Sequence, residues 1–196
     1  MAEDEDLLTK EEGAYLVKLA RKAIEQFLVK RQKLEVAPAE VPSKRLVKDG
    51  ACFVTLYKGK KKDLRGCIGS LEAHRPLIMD VMDNALNSAF GDPRFPQVRM
   101  EEMKDIRIEI SVLTPPKRLE VKSSDELLQK LTPRKHGLII QKGWARATFL
   151  PVVWDELKKK EDFLVHLCMK AGLGPDEWKD AASMEFYTYL AQEFEE

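Results

Sequence analysis

No run of apolar residues in this 196-residue chain approaches the roughly 20 that a membrane-spanning helix needs. No Cys-x-x-Cys pair occurs, and the three cysteines, Cys52, Cys67 and Cys168, are odd in number and far apart. That pattern argues against a zinc ribbon, a self-contained iron–sulfur site or a disulfide framework, and it predicts reduced thiols in a cytoplasmic protein. There is no P-loop, no strand–GxGxxG–helix and no Gly-x-Ser-x-Gly elbow, so neither phosphate cradling, dinucleotide binding nor a hydrolase nucleophile is signalled. No metal ligand set and no cofactor motif stands out. The charge does not favour either sign, because 33 basic residues meet 33 acidic ones. A nucleic-acid binder that works by general electrostatic attraction is therefore not expected. The acidic residues Glu3, Asp4, Glu5 and Asp6 are the wrong start for a secretory signal.

What is present is an ordinary globular composition, 44% hydrophobic and 34% charged, with enough length for one domain with a sizeable core. Thr9 and Glu12 have the spacing of a capping box, and Leu16, Leu19, Ala20, Ala23, Ile24, Phe27 and Leu28 follow at helical intervals. They predict a helix over Lys10–Arg31. A proline-bearing loop, 32–49, crosses to a strand over Ala51–Lys58 with Cys52, Val54 and Leu56 on one face. Gly59 and the lysines after it make a hairpin turn. Pro76 opens a helix with Ile78, Val81, Met82, Ala85, Leu86 and Ala89 inward, and Gly91 ends it in the left-handed conformation. Ile106, Ile108, Ile110 and Val112 alternate with Arg107, Glu109 and Ser111, which is a strand with one buried and one polar face. Ser123 and Glu126 form a second capping box, and Gly137–Gln141 with Ala145–Leu150 form a second hairpin. A helix around Phe163–Ala171 carries Cys168 on its apolar stripe and ends at Gly172. Met184–Phe194 reads as one last strand with a fraying acidic end. The fold class is α+β: an antiparallel sheet flanked by helices, in a single domain over 1–196 with a smaller lobe drawn from its middle or C-terminal part.

One stretch concentrates the chemistry. Leu64-Arg65-Gly66-Cys67-Ile68-Gly69 sets a thiol between two glycines with an arginine two residues upstream. In an extended strand Arg65 and Cys67 share a face, and a guanidinium there favours the thiolate, which is the reactive form. The structural alternative is a tight strand with a small buried cysteine as filler. Arg94 can act as an anion clamp through its planar donor fork. Glu109, on the polar face of its strand, is a candidate base, and His136 and His74 are candidate proton carriers. Cys67, Glu109 and His136 are thus the catalytic candidates. Arg65, Gly66, Gly69 and Arg94 are the ligand-binding ones, and Arg65, Cys67, Arg94, Glu109 and His136 are expected to converge on one cleft suited to a small polar ligand or a peptide end.

The LRGCIG block, followed by Asp92-Pro93-Arg94-Phe95-Pro96, Ile108-Glu109-Ile110-Ser111-Val112-Leu113, Leu150-Pro151 and Lys170-Ala171-Gly172-Leu173, resembles the AMMECR1 domain family from about Thr9 onwards. Val152-Val153 departs from the pattern after Leu150-Pro151, where a polar residue is expected first, so no role is assigned to the side chain at 152. The resemblance implies a two-lobed fold. Prokaryotic members resemble protein A of a system (AmmeMemoRadiSam) that also contains a Memo-like protein and a radical SAM enzyme, which makes those two the expected partners. The family's activity is unsettled. Three readings are open: a thiol-dependent modification or group-transfer enzyme, a non-catalytic scaffold with a groove around LRGCIG for a partner or small ligand, and a nucleic-acid-associated factor. Zero net charge and few clustered aromatics make the third the weakest.

Overall fold

The computed structural model describes residues 7–196, so the acidic residues Glu3 to Asp6 lie outside the described residues. The chain is α+β and divides into two compact units. One runs to Thr114 and takes back Gln192–Glu196, while the other is Pro115–Ala191.

The first unit begins with α1 (Lys10–Lys30). Its start is the capping box read from the sequence: Glu12 N–H donates to Thr9 Oγ1 at 3.2 Å, and Thr9 N–H donates to Glu12 Oε2 at 2.8 Å. Arg31, in the left-handed region at φ 57°, ends it. The strands β1 (Ala51–Lys58), β2 (Asp63–Gly69), β3 (Ile106–Leu113) and β8 (Ala191–Glu195) form a sheet in the order β2-β1-β3-β8. Helices α1 and α2 (Leu77–Phe90) pack on one face of it. The core there joins Leu16, Ala20 and Ile24 to Val54, Leu56, Ile108 and Ile110, all without exposed surface. The 32–49 loop is held by packing, since Leu46 is fully buried and Leu34, Val36, Val41 and Val47 rest on the same core. The other face of the sheet carries Phe53, Thr55 and Tyr57 of β1, all half-buried.

The second unit holds a second sheet, ordered β4-β7-β5-β6, from β4 (Lys117–Arg118), β5 (Gly137–Lys142), β6 (Ala145–Phe149) and β7 (Glu185–Tyr189). With it come α3 (Ser124–Lys130) and α4 (Lys160–Lys170). Trp154 stacks on Phe163 at the centre of its core, beside Leu127, Leu138, Leu167 and Phe186.

Four local expectations change. The last strand breaks at Leu190 into β7 and β8, which join different sheets, because continuous alternation across Leu190 cannot reveal which partner each half takes. The acidic end does not fray: Glu196 accepts from Arg21 Nε and Nη2, and its own N–H donates to Ile108 O at 3.2 Å. Gly91 ends α2 at φ −117°, not in the left-handed region, and its N–H donates to Asn87 O at 2.8 Å. At α3, Ser123 caps Glu126 N–H, but the Glu126 carboxylate accepts from Lys122 N–H, so the box is not reciprocal. Gly172 does adopt the left-handed cap, at φ +77°.

Candidate functional site

The register of the first sheet builds a row. Thr55 on the central strand β1 faces Cys67 on β2 and Glu109 on β3, so the three side chains stand side by side on the face that carries no helix. Two strand spacings put the Cys67 and Glu109 backbones roughly 9.6 Å apart, with Thr55 between them. Thr55 Oγ1 donates to Cys67 Sγ at 3.3 Å, and Tyr57 Oη donates to Glu109 Oε1 at 3.4 Å. Burial, with Glu193 beside it, raises the Glu109 carboxyl above its ordinary value, while Lys62 opposes the shift. Burial and the Glu109 charge push the Tyr57 phenol up to about 12.

The sulfur sits on a fixed peptide. β2 is an edge strand, and the outward groups of Cys67 are both taken. Its N–H donates to Asp92 Oδ2 at 2.9 Å, and its carbonyl accepts from Arg94 Nη2 at 3.1 Å. Arg94 also grips Asp92, through Nη2 at 2.7 Å and Nε at 3.0 Å. That guanidinium holds the Asp92 carboxyl far below the usual carboxylate range, against the effect of burial. The Asp-Pro-Arg-Phe-Pro loop and LRGCIG are therefore one interlocked structure.

Arg65 is placed differently from the expectation. A β-bulge falls between Leu56 and Tyr57, where Leu56 faces Gly66 and Tyr57 faces Leu64, leaving Arg65 as the extra residue. A bulge breaks the two-residue alternation, so Arg65 and Cys67 do not share a face by parity. The Arg65 guanidinium instead forms a partly buried pair with Glu102, at 3.2 and 3.1 Å. Arg65, with Lys58, holds the Glu102 carboxyl down to about 2.

The glycines serve close packing more than access to the thiol. A Cβ at Gly66 would lie 2.1 Å from the Ser88 carbonyl oxygen of α2, and one at Gly69 would meet the Phe53 ring at 2.3 Å and Cys52 O at 2.7 Å. Ser88 uses that closeness. Its hydroxyl donates to Val54 O at 2.7 Å and accepts from Ile68 N–H at 2.9 Å, bridging β1 and β2.

His136 belongs to the second unit, where it is 8% exposed. Its Nδ1 accepts from Thr132 N–H at 3.2 Å and its carbonyl accepts from Trp154 Nε1 at 2.8 Å. His74 is exposed, with Nδ1 against Glu72 O. Cys52 and Cys168 are fully buried, and burial raises both thiols, Cys52 the more so with Asp80 beside it. Among the described residues no cluster of three or more His, Cys, Asp or Glu side chains is arranged to hold a metal ion. Among them, too, no helix is long and apolar enough to cross a membrane.

Two groups of residues escaped the sequence reading. Thr55 stands at the centre of the row, but only the register reveals it. Asp80, Asn84 and Ser88 form a fully buried polar stripe on α2. Asp80 accepts from Cys52 N–H, Ser70, Asn84 and Arg75, and Asn84 donates to Cys52 O. Their spacing of four residues, inside an otherwise apolar face, was the available signal.

Known proteins resemble this chain over nearly its whole length. The chain is 45% identical over 195 residues to Protein MK0488 of Methanopyrus kandleri, covering 96% of this chain and 90% of that one. It is 43% identical over 196 residues to Protein MJ0810 of Methanocaldococcus jannaschii, covering 97% and 92%. The crystal structure of the uncharacterized protein PH0010 from Pyrococcus horikoshii superposes with a TM-score of 0.78 at 39% identity, covering 96% of this chain and 93% of that one. The AMMECR1 family profile matches residues 17–194, and this chain belongs to the AMMECR1 family.

Proposed function

We propose that this protein is a thiol-dependent modification or group-transfer enzyme in which Cys67 is the nucleophile and Glu109 the acid–base group. The observation that supports this most is the state of Cys67. Of the three cysteines it alone is partly exposed, and it shares a sheet face and a cross-strand row with a carboxyl whose affinity for protons is raised. A donor R–X would deliver R to the sulfur: the S–R bond forms as R–X breaks, and the thiol proton leaves with X. An acceptor H–Y then takes R and returns its proton to the sulfur, with Glu109 carrying protons at the substrate end of the row. Arg94, with its side chain 54% exposed, is the proposed contact for an anionic group of the substrate. Following the family resemblance, a radical SAM enzyme and a Memo-like protein are the proposed partners that supply or receive R.

A second reading, a non-catalytic scaffold, is favoured by the glycine packing and by the Asp92–Arg94 clamp, both of which use the LRGCIG block for folding. Replacement of Cys67 separates the two. In a host lacking its own copy of the gene, the Cys67→Ser chain should fold yet fail to restore function, and a sulfur-linked adduct should be recoverable from the wild-type chain by mass spectrometry. Full restoration by Cys67→Ser, with no adduct on the wild type, gives the scaffold reading first place.

A further inference from the structure

We infer that Thr55 is the positioning residue for the Cys67 sulfur, a role that neither neighbouring arginine fills. This deepens, and rests on, the reading of Cys67 as the reacting thiol. Neither arginine hydrogen-bonds the sulfur: Arg65 pairs with Glu102, and Arg94 bonds Asp92 and the Cys67 carbonyl and meets the thiol through charge alone. The hydrogen bond to the sulfur itself comes from Thr55 Oγ1, at 3.3 Å. Thr55 is well suited to aim it. Its β-branched side chain is stiff at χ1, and it lies on β1, which is paired on both sides by β2 and β3. The acceptor is equally fixed, because Asp92 and Arg94 hold the Cys67 peptide from the opposite edge. A fixed donor aimed at a fixed sulfur favours the charged form, since a hydrogen bond to an anion is stronger than one to its neutral acid. The other charged or titratable groups facing this thiol are Tyr57 on β1, Glu109 on β3, and Asp92 with Arg94 on the loop after α2. Tyr57 and Glu109 are tied to each other, so Thr55 can be altered without freeing a partner of either.

The test is the pH profile of Cys67 alkylation by iodoacetamide, followed by peptide mass spectrometry in the full chain. Thr55→Val keeps the shape and removes the donor, while Thr55→Ser keeps the donor and removes the methyl group. A hydrogen bond to a charged acceptor is stronger than one to a neutral acceptor. The Thr55→Val profile should be displaced, with Cys67 alkylated several-fold more slowly at pH 7, while Thr55→Ser stays with the wild type. A Thr55→Val profile superimposed on the wild type overturns the inference. So does a Thr55→Ser profile displaced as far as that of Thr55→Val, which would make the effect one of packing. If Thr55→Val does not fold, Thr55→Ala beside Thr55→Ser carries the same comparison. Alkylation needs no substrate, so this result stands apart from the Cys67→Ser restoration experiment: either can fail alone.

Discussion

Replacing Gly66 by alanine puts the packing of LRGCIG under direct strain. The added methyl carbon would sit 2.1 Å from the Ser88 carbonyl oxygen, a backbone atom inside α2 that no side-chain rotation can remove. Either α2 or the edge strand β2 must shift. Overpacking of this kind costs about 1–3 kcal/mol. The shift also pulls on the Ser88 hydroxyl, which joins Ile68 N–H to Val54 O, and two weakened hydrogen bonds add about 1–3 kcal/mol. The expected loss is about 2–6 kcal/mol, a large part of the roughly 5–15 kcal/mol that holds a domain together. Urea unfolding followed by circular dichroism measures it, with Lys60→Ala in the exposed turn as the control. Cys67 should label faster in the variant, since its neighbour in β2 has moved. A loss below about 0.5 kcal/mol, the range of an ordinary surface change, would refute the close approach of α2 and with it the account of why a glycine stands at position 66.

Three further outcomes follow from the same geometry. Asp80→Ala removes a fully buried carboxylate that accepts from four residues, and it should destabilise by about 3–5 kcal/mol in urea unfolding; a change under about 1 kcal/mol would mean the polar stripe of α2 is not packed as described. Glu102 is held down to about 2 in the folded chain by Arg65 and Lys58, below its ordinary value of 4.5. Its contribution is thus present above 4.5 and is lost as pH falls toward about 2. Unfolding measured across that window should show a shallower acid loss for Glu102→Gln than for the wild type, and parallel curves would count against the pairing. Leu19→Ala in α1, at a position 5% exposed, should lower stability by about 2–5 kcal/mol, whereas a loss under about 0.5 kcal/mol would place that face in solvent.

The parts of the fold that sequence shows are those set by local periodicity. The Thr9–Glu12 box and the stripe from Leu16 to Ile24 define α1 to within one residue of its end, and the alternation from Ile106 to Val112 defines β3 and its buried face. Pairing is not local. Nothing in β7 and β8 announces that Glu185–Tyr189 joins one sheet and Ala191–Glu195 another. The same limit governs the site. Cys67 and Glu109 each lie on a definable strand face, but only register sets Thr55 between them. A one-residue bulge then removes Arg65 from the face that simple parity gives it. Arg94 does lie beside Cys67, hydrogen-bonded to its carbonyl and acting on its sulfur through charge alone, because the buried Asp92 carboxylate draws the guanidinium to the backbone edge. Glycines signal a close approach without saying to what. At Gly66 the answer is α2, through a serine that sequence presents as an ordinary helical residue.

Cys67 is the accessible thiol of a fixed, shared sheet face. Limited alkylation of the native chain, with each cysteine followed by peptide mass spectrometry, tests it most directly. Cys67 should be labelled first, while Cys52 and Cys168, fully buried and with their thiols raised by burial, should be labelled only as the chain unfolds. Labelling of Cys52 or Cys168 ahead of Cys67, or a Cys67 that reacts only in denaturant, would contradict it.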